Sequence, residues 1–529
     1  MKNRPRSADE ATQVLDQLTE VAIALSTERD YRKLLDLILA KAVRLANCDA
    51  GSLYILAADP EGGRRRLRFV AAQNDSVSVP LRETEMPLTM ESLAGCVALT
   101  GEPLLIDDAY AIPRGAPYHF NRAFDEGAGY RTKSLLVLPM TNHKGRVTGV
   151  LQLINRKRDG AAGLDSPAAV ERWVVPFDDR DARLMRAVGS LAAVSIDNQQ
   201  LYESIERLFE GFVKASVTAI EQRDPTTSGH SLRVSALTVD LADKVNRTPS
   251  GVLGSLAFSG EQMRELRYAA LLHDFGKVGV REHVLVKAKK LYPFELERIQ
   301  TRFEVARLCL ERDTLLRKLA AHREARPDLA ARLEALDRDL DAQRDELAAF
   351  YEAILRSNEP SVLPEGDFEA LQAIAGRSFT DGEGKSRAIL LPEEARILSI
   401  RKGSLSEPER LEIESHVTHT FNFLRQIPWT PELGRIPEIA YGHHEKLNGR
   451  GYPRGVTAQS IPVQSRIMAV SDIFDALTAS DRPYKRAVPV AKALDILRSE
   501  AGGGLLDEAL VDLFIEAKVY EVVSAGAPK

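Results

Sequence analysis

Apolar positions change period along this chain. Near the N-terminus, in VLDQLTEVAIALSTERDYRKLLDLILAKAVRLANC, they recur at helical spacing. Strand-like runs follow: GSLYIL, RLRFVAA, SLLVLPM and VTGVLQLIN. The polar turn TNHKGR between the last two predicts a hairpin at the centre of a sheet. A closing helix starts near Arg180. Residues 12–200 therefore read as an α+β domain, an antiparallel sheet with flanking helices, and they hold no cluster of catalytic residue types.

The closing helix is predicted to run past residue 200. Val194, Asn198, Leu201, Ile205, Leu208, Phe212, Ala215 and Ala219 alternate four and three apart, a heptad seam with one polar position. Such a seam packs either on its own domain or as a parallel dimer stalk. We read residues 187–223 as a connecting signalling helix and expect a homodimer through it and the first domain.

From about Phe212 the pattern is nearly all helical. Leu329, Leu333, Leu336, Leu340 and Leu347 follow heptad spacing among many charges, and Pro327 marks a turn before them. We expect an insertion at 303–400, a helical hairpin followed by a looser stretch from SNEPSVLPEGDFEA to FTDGEGKS. It would split an all-helical domain into 211–302 and 401–529. KKLYPFELERIQTRF before the insertion resembles GSLSEPERLEIESHV after it, and only the second copy ends in a histidine, His416.

Composition narrows the classes. With 529 residues the chain holds several domains, and a formal charge of −5 argues against a DNA- or RNA-polymer binder. Cys48, Cys96 and Cys309 are too scattered for a disulfide framework or thiolate metal site, which fits a reducing cytoplasm. No signal peptide is read in MKNRPRSADEATQ, and no apolar run approaches a membrane span. The histidines are skewed: eight of ten lie from His230 onward.

Those histidines fall in suggestive company. YAALLHDFGKVG ends an apolar helical run in His273-Asp274, an imidazole and a carboxylate that can ligate one cation or merely cap a helix. Lys277 follows as a charge for a phosphate. GHHEKLNGRGYPRG holds His443 and His444, which on a regular helix would point about 100° apart and serve two neighbouring ions rather than share one. Asp472 sits in an apolar helix where a carboxylate needs a partner, and Asp475 lies on the same face as an alternative ligand. His230 opens a helix, and His416 has His419 one turn on. Five histidines and two aspartates, with no thiolate, suit Mn, Fe, Mg or Zn in a multi-metal hydrolytic site.

HDFGK, HHEKLNGRGYP and DIFDALTASDRPYKR, in that order, resemble the HD-GYP phosphodiesterases. The resemblance implies a helical bundle with two or three divalent ions (Fe, Mn or Mg) that opens cyclic di-GMP to pGpG and sometimes continues to GMP. By motif the metal ligands would be His230, His273, Asp274, His416, His443, His444 and Asp472, with Asp274 and Lys277 catalytic. Lys277, Arg482 and Lys485 would hold phosphates, and Gly451 and Tyr452 would contact substrate or partner. Members with three metals carry a Glu where Thr226 stands here, so two metals are expected. Asn448 replaces a usual Asp. The insertion falls just before His416, with His419 as its substitute. FDEGAGYRTKSLLVLPM, GVLQLINRK and VPFDDRD resemble a GAF domain of the cyclic-nucleotide phosphodiesterase type. Asn155, Phe177 and Asp181 fit its signature, with Arg156 for Lys and Ala182 for Glu, which makes a cyclic nucleotide one candidate GAF ligand. The insertion is a candidate surface for a protein partner. A hydrolase of another cyclic dinucleotide, and a silent cyclic di-GMP receptor, remain alternatives.

Overall fold

The computed structural model describes residues 8–57, 65–77, 83–223, 229–324, 327–479 and 487–524. The chain divides into two compact units, residues 1–209 and 210–529. No helix among the described residues is long and apolar enough to cross a membrane.

The first unit opens with α1 (Ala8–Thr27) and α2 (Tyr31–Leu45), then β1 (Cys48–Ala57), β2 (Arg66–Asn74) and β3 (Thr84–Pro87). It continues through α3 (Leu93–Thr100), β4 (Leu104–Ile106), α4 (Ala123–Ala128), β5 (Leu135–Thr141), β6 (Val147–Arg156) and α5 (Pro167–Trp173). The six strands form one antiparallel sheet in the order β3-β2-β1-β6-β5-β4. The predicted β5–β6 hairpin is present, with β6 central. Because strand side chains alternate, both faces are covered. Leu53, Leu136, Leu138, Leu151 and Leu153 pack under α2 and the start of the closing helix, through Leu34, Ile38, Met185 and Val188. Leu67, Leu135, Val137 and Val150 pack against α3 through Leu93 and Val97. The GAF signature residues act in this scaffold. Asn155 adopts φ 58°, donates to the Arg131 carbonyl at 2.8 Å and accepts from the Lys133 amide at 2.7 Å. Arg156 pairs with Asp181 at 2.9 Å.

The closing helix, α6 (Asp179–Arg223), is continuous, and the division between the units falls within it. Leu201, Ile205, Leu208 and Phe212 of the seam are 58, 53, 75 and 45% exposed. Val213, Val217 and Ile220, on another face, are buried.

The second unit is helical apart from one small hairpin. Its elements are α7 (His230–Asn246), α8 (Gly260–Leu272), α9 (Glu282–Leu285), α10 (Pro293–Glu324), α11 (Leu329–Ser357), α12 (Glu365–Ala375), β7 (Ser378–Thr380), β8 (Ser386–Ala388), α13 (Pro392–Leu398), α14 (Glu407–Leu424), α15 (Ile436–Tyr441), α16 (Val463–Thr478), α17 (Val490–Gly502), α18 (Glu508–Glu516) and α19 (Glu521–Ser524). The hairpin α10–α11 turns around Pro327 as the pattern predicts. Two expectations change. No break falls at residue 303: α10 runs unbroken across that point, and Leu291 and Ile299 join Phe303, Ile354, Leu371, Ile374 and Leu398 in one core. The stretch after α11 is not loose: Leu371 and Ile374 anchor α12 there, and β7 pairs with β8. The two similar segments both begin helices, each with a Glu reaching back to an amide: Glu295 to Tyr292 at 2.8 Å, and Glu409 to Ser406 at 2.9 Å.

Candidate metal centre

Five helices of the second unit, α7, α8, α14, α15 and α16, bring the predicted residues together. His230 is the first residue of α7. His273 caps the C-terminus of α8, and Asp274 follows it. His416 lies in α14, His443 and His444 follow α15, and Asp472 and Asp475 lie one turn apart in α16. The turn after Asp274 approaches α14 closely, and Gly276 permits it: a Cβ there would stand 1.9 Å from the His416 carbonyl oxygen. Thr420 locks the contact. Its hydroxyl donates to the His273 carbonyl at 2.9 Å and accepts from the Gly276 amide at 2.8 Å.

Three of the imidazoles share one hydrogen-bond pattern. Nδ1 of His273, His416 and His443 lies 2.7, 2.6 and 2.6 Å from the carbonyl three residues earlier, of Ala270, Ile413 and Ala440. A carbonyl only accepts, so each Nδ1 carries the proton and each Nε2 presents a lone pair. All three Nε2 atoms are buried without a hydrogen-bond partner. Buried polar atoms are ordinarily satisfied; three orphaned lone pairs beside carboxylates are what a cation would satisfy.

The ligand atoms group as His416–His443–His444, as His230–His273–Asp472 and as His273–Asp274–His443, each within 4.8 Å. Asp274 Oδ1 lies 3.3 Å from His416 Nε2, and Asp472 Oδ1 lies 3.2 Å from His230 Nε2. His443 and His444 fall together in one of these groups, and His443 also in another with His273 and Asp274. Helix α15 ends at Tyr441, so the 100° step of a regular helix does not apply, and the two rings stand 4.1 Å apart in one group. His416, not His419, joins the cluster; His419 packs beside Gly279 instead. Of the two aspartates in α16, Asp472 faces the cluster, while Asp475 turns to Nδ1 of His230 at 2.8 Å.

Electrostatics agree with a cation site. Burial opposes charge on Asp274, yet Lys277 (Nζ at 2.9 Å from Oδ2) and the imidazoles hold its carboxyl well below the usual range. Burial likewise opposes charge on Asp472, and His230 and His273 hold it low. Burial, reinforced by His444 and His273, keeps His443 well below the ordinary imidazole value, hence in the neutral ligand form. Burial also works against a charge on His230, but Asp472, Asp475 and Asp274 outweigh it and push its pKa up to about 9.

The glycine-rich turn stands over this cluster. Tyr452 lies 4.7 Å from the His444 ring, and burial raises its phenol's pKa. Gly451 is required, since a Cβ would meet the Glu445 and Lys446 backbone at 2.3–2.6 Å. Asn448 accepts from the Arg450 amide at 3.1 Å, a turn bond an Asp would also make. Arg482, Lys485 and Thr226 lie outside the described residues.

The sequence reading passed over two supporting residues. Glu445, 3% exposed, accepts from the Arg454 and Val456 amides at 2.8 and 3.1 Å and holds the turn's shape. Its signal was a charge placed between the histidine pair and the glycines. Thr420 follows His416 by four residues, on one helix face, and was equally readable.

Comparison with known proteins agrees with this architecture. Residues 30–196 match the GAF domain, and residues 227–353 and 386–510 each match the HD domain. The chain carries a GAF domain followed by HD domains. It is 42% identical over 97 residues, 18% of this chain and 20% of the relative, to 3'3'-cGAMP-specific phosphodiesterase 3 of Vibrio cholerae. It is 38% identical over 116 residues, 22% of this chain and 31% of the relative, to the cyclic di-GMP phosphodiesterase of Thermotoga maritima. The chain thus spans less than a third of the length of these curated relatives. The crystal structure of a GAF domain from an Acinetobacter phosphoenolpyruvate-protein phosphotransferase aligns at 17% identity, covering 37% of this chain and 97% of that one, with a TM-score of 0.27.

Proposed function

We propose that this chain is a metal-dependent phosphodiesterase of the HD-GYP type that hydrolyses cyclic di-GMP to pGpG, under the control of its GAF domain. The observation that supports this most directly is the convergence of three unsatisfied imidazole Nε2 atoms on two buried carboxylates. His230, His273, Asp274, His416, His443, His444 and Asp472 would hold two divalent ions. Such ions, when bound, supply a water of lowered pKa and positive charge at a phosphoryl oxygen.

The chain's own residues then divide the remaining work. Lys277 sets an ammonium at the mouth of the cluster, where charge builds on the phosphoryl oxygens. Tyr452 offers a ring face, and Gly451 lets backbone approach the substrate closely. Arg482 and Lys485 add cations for its phosphates. The relatives' names carry the substrate class: one acts on cyclic di-GMP and another on 3'3'-cGAMP. The second name favours a mixed cyclic dinucleotide as the alternative substrate.

In this reading the protein is a cytoplasmic homodimer joined along the exposed seam of α6, with a cyclic nucleotide as candidate GAF ligand and the insertion as candidate partner surface. Manganese-loaded protein assayed against cyclic di-GMP, 3'3'-cGAMP and cyclic mononucleotides tests it. Preferential cleavage of cyclic di-GMP supports the reading, preference for 3'3'-cGAMP supports the alternative, and binding without cleavage would make the chain a silent receptor.

A further inference from the structure

His230 differs from the other buried imidazoles of the cluster. His273, His416 and His443 are each held at Nδ1 by a backbone carbonyl of their own segment. His230 opens its helix and has no such carbonyl one turn before it within α7. Its Nδ1 is held instead by Oδ2 of Asp475 at 2.8 Å. Asp475 is 2% exposed and is gripped by Arg233, with Nε at 2.6 Å from Oδ1 and Nη2 at 3.0 Å from Oδ2. The sequence spacing builds this arrangement. His230 and Arg233 are three apart on α7, and Asp472 and Asp475 are three apart on α16, so two same-face pairs oppose each other. Asp472 then meets Nε2 of His230 while Asp475 meets Nδ1.

We infer that Asp475, oriented by Arg233, is a positioning residue that fixes the ring and tautomer of His230 and thereby strengthens one of the two cation positions selectively. It acts on the His230–His273–Asp472 group and not on His416–His443–His444, which it does not touch. A carboxylate hydrogen-bonded to a ligating imidazole is worth about 10–100-fold in metal affinity. The inference rests on the metal-dependent reading above.

The test is a titration of chelator-stripped full-length protein with Mn²⁺, followed by calorimetry and by electron paramagnetic resonance of free Mn²⁺. Wild type is expected to show two sites. D475N should weaken one by about 10–100-fold and leave the other within about twofold. R233Q should weaken the same site by less, and H230A combined with D475N should be no weaker at that site than H230A alone. D475E, which restores a carboxylate, should recover part of the loss. Should D475N fail to fold by thermal melting, R233Q carries the test. Two unchanged sites in D475N, or both sites weakened equally, overturn the inference. No Mn²⁺ uptake by wild type would instead overturn the metal-dependent reading itself, so the two failures are distinguishable.

Discussion

Nε2 of His416 lies 3.3 Å from Oδ1 of Asp274, although the whole insertion separates them in sequence. The contact is made by the close approach of α14 to the turn at Gly276, locked by Thr420. The segment between them packs around its own core of Leu291, Phe303, Ile354 and Leu371 and supplies no ligand atom to the cluster's candidate groups.

Asp274 should be indispensable. Asp274→Ala removes a carboxylate from the centre of the histidine cluster, and hydrolysis should fall by at least about 100-fold, as for loss of one preorganised electrostatic group. Circular dichroism should show a folded protein with less bound metal. A folded variant with full activity would falsify the proposed chemistry.

Lys277 should act on phosphate more than on the fold. Its ammonium sits 2.9 Å from Asp274, and a hydrogen bond to a charged group contributes about 1.5–3 kcal/mol, roughly 10–100-fold. Lys277→Met should lower kcat/KM by that factor while the melting temperature moves little. An unchanged kcat/KM would remove Lys277 from the reaction.

The exposed seam of α6 should be a dimer contact. Ile205→Asp with Leu208→Asp places two charges on that stripe, where both wild-type side chains are more than half exposed. Light scattering coupled to size exclusion should report a dimer for wild type and a monomer for the double variant, with helix content preserved. A wild-type monomer, or a dimer that survives both charges, would assign the stripe no such role.

Glu409 should make the insertion's attachment acid-sensitive. It accepts from Lys287 at 2.8 and 2.9 Å and from the Tyr292 hydroxyl at 2.7 Å, joining the base of the insertion to the helix that carries His416. Burial works against its charge, but these donors and Ser406 lower its pKa from 4.5 to about 2. A depressed carboxyl pKa favours the folded state above the unfolded value and loses that advantage as pH falls through the folded one. Glu409→Gln should thus destabilise the C-terminal unit by about 1.5–3 kcal/mol near pH 6. The deficit should shrink between pH 4.5 and about pH 2. Urea unfolding of both proteins across that range checks it; a deficit independent of pH would contradict the assignment.

Much of this was legible before the fold was known. Short apolar runs with polar turns marked the strands of the first unit, because a sheet covered on both faces needs little else. The His-Asp pair and the adjacent histidines were visible as metal-ligating residue types, and Asp472 as a carboxylate that is costly in an apolar helix without a partner. That α10 runs through residue 303 was not legible, because periodicity does not reveal which core a helix joins.

Local spacing by itself determined the ligand types and the placing of Asp472 and Asp475 on one face, since residues three apart on a helix share a face. Only the tertiary structure decided the assignments among near neighbours: His416 over His419, Asp472 over Asp475, and His443 with His444 in one group. Those choices depend on which side of α14 meets Gly276, on where α15 stops and on how α7 crosses α16. They are set by packing between segments distant in the chain, which no local pattern encodes.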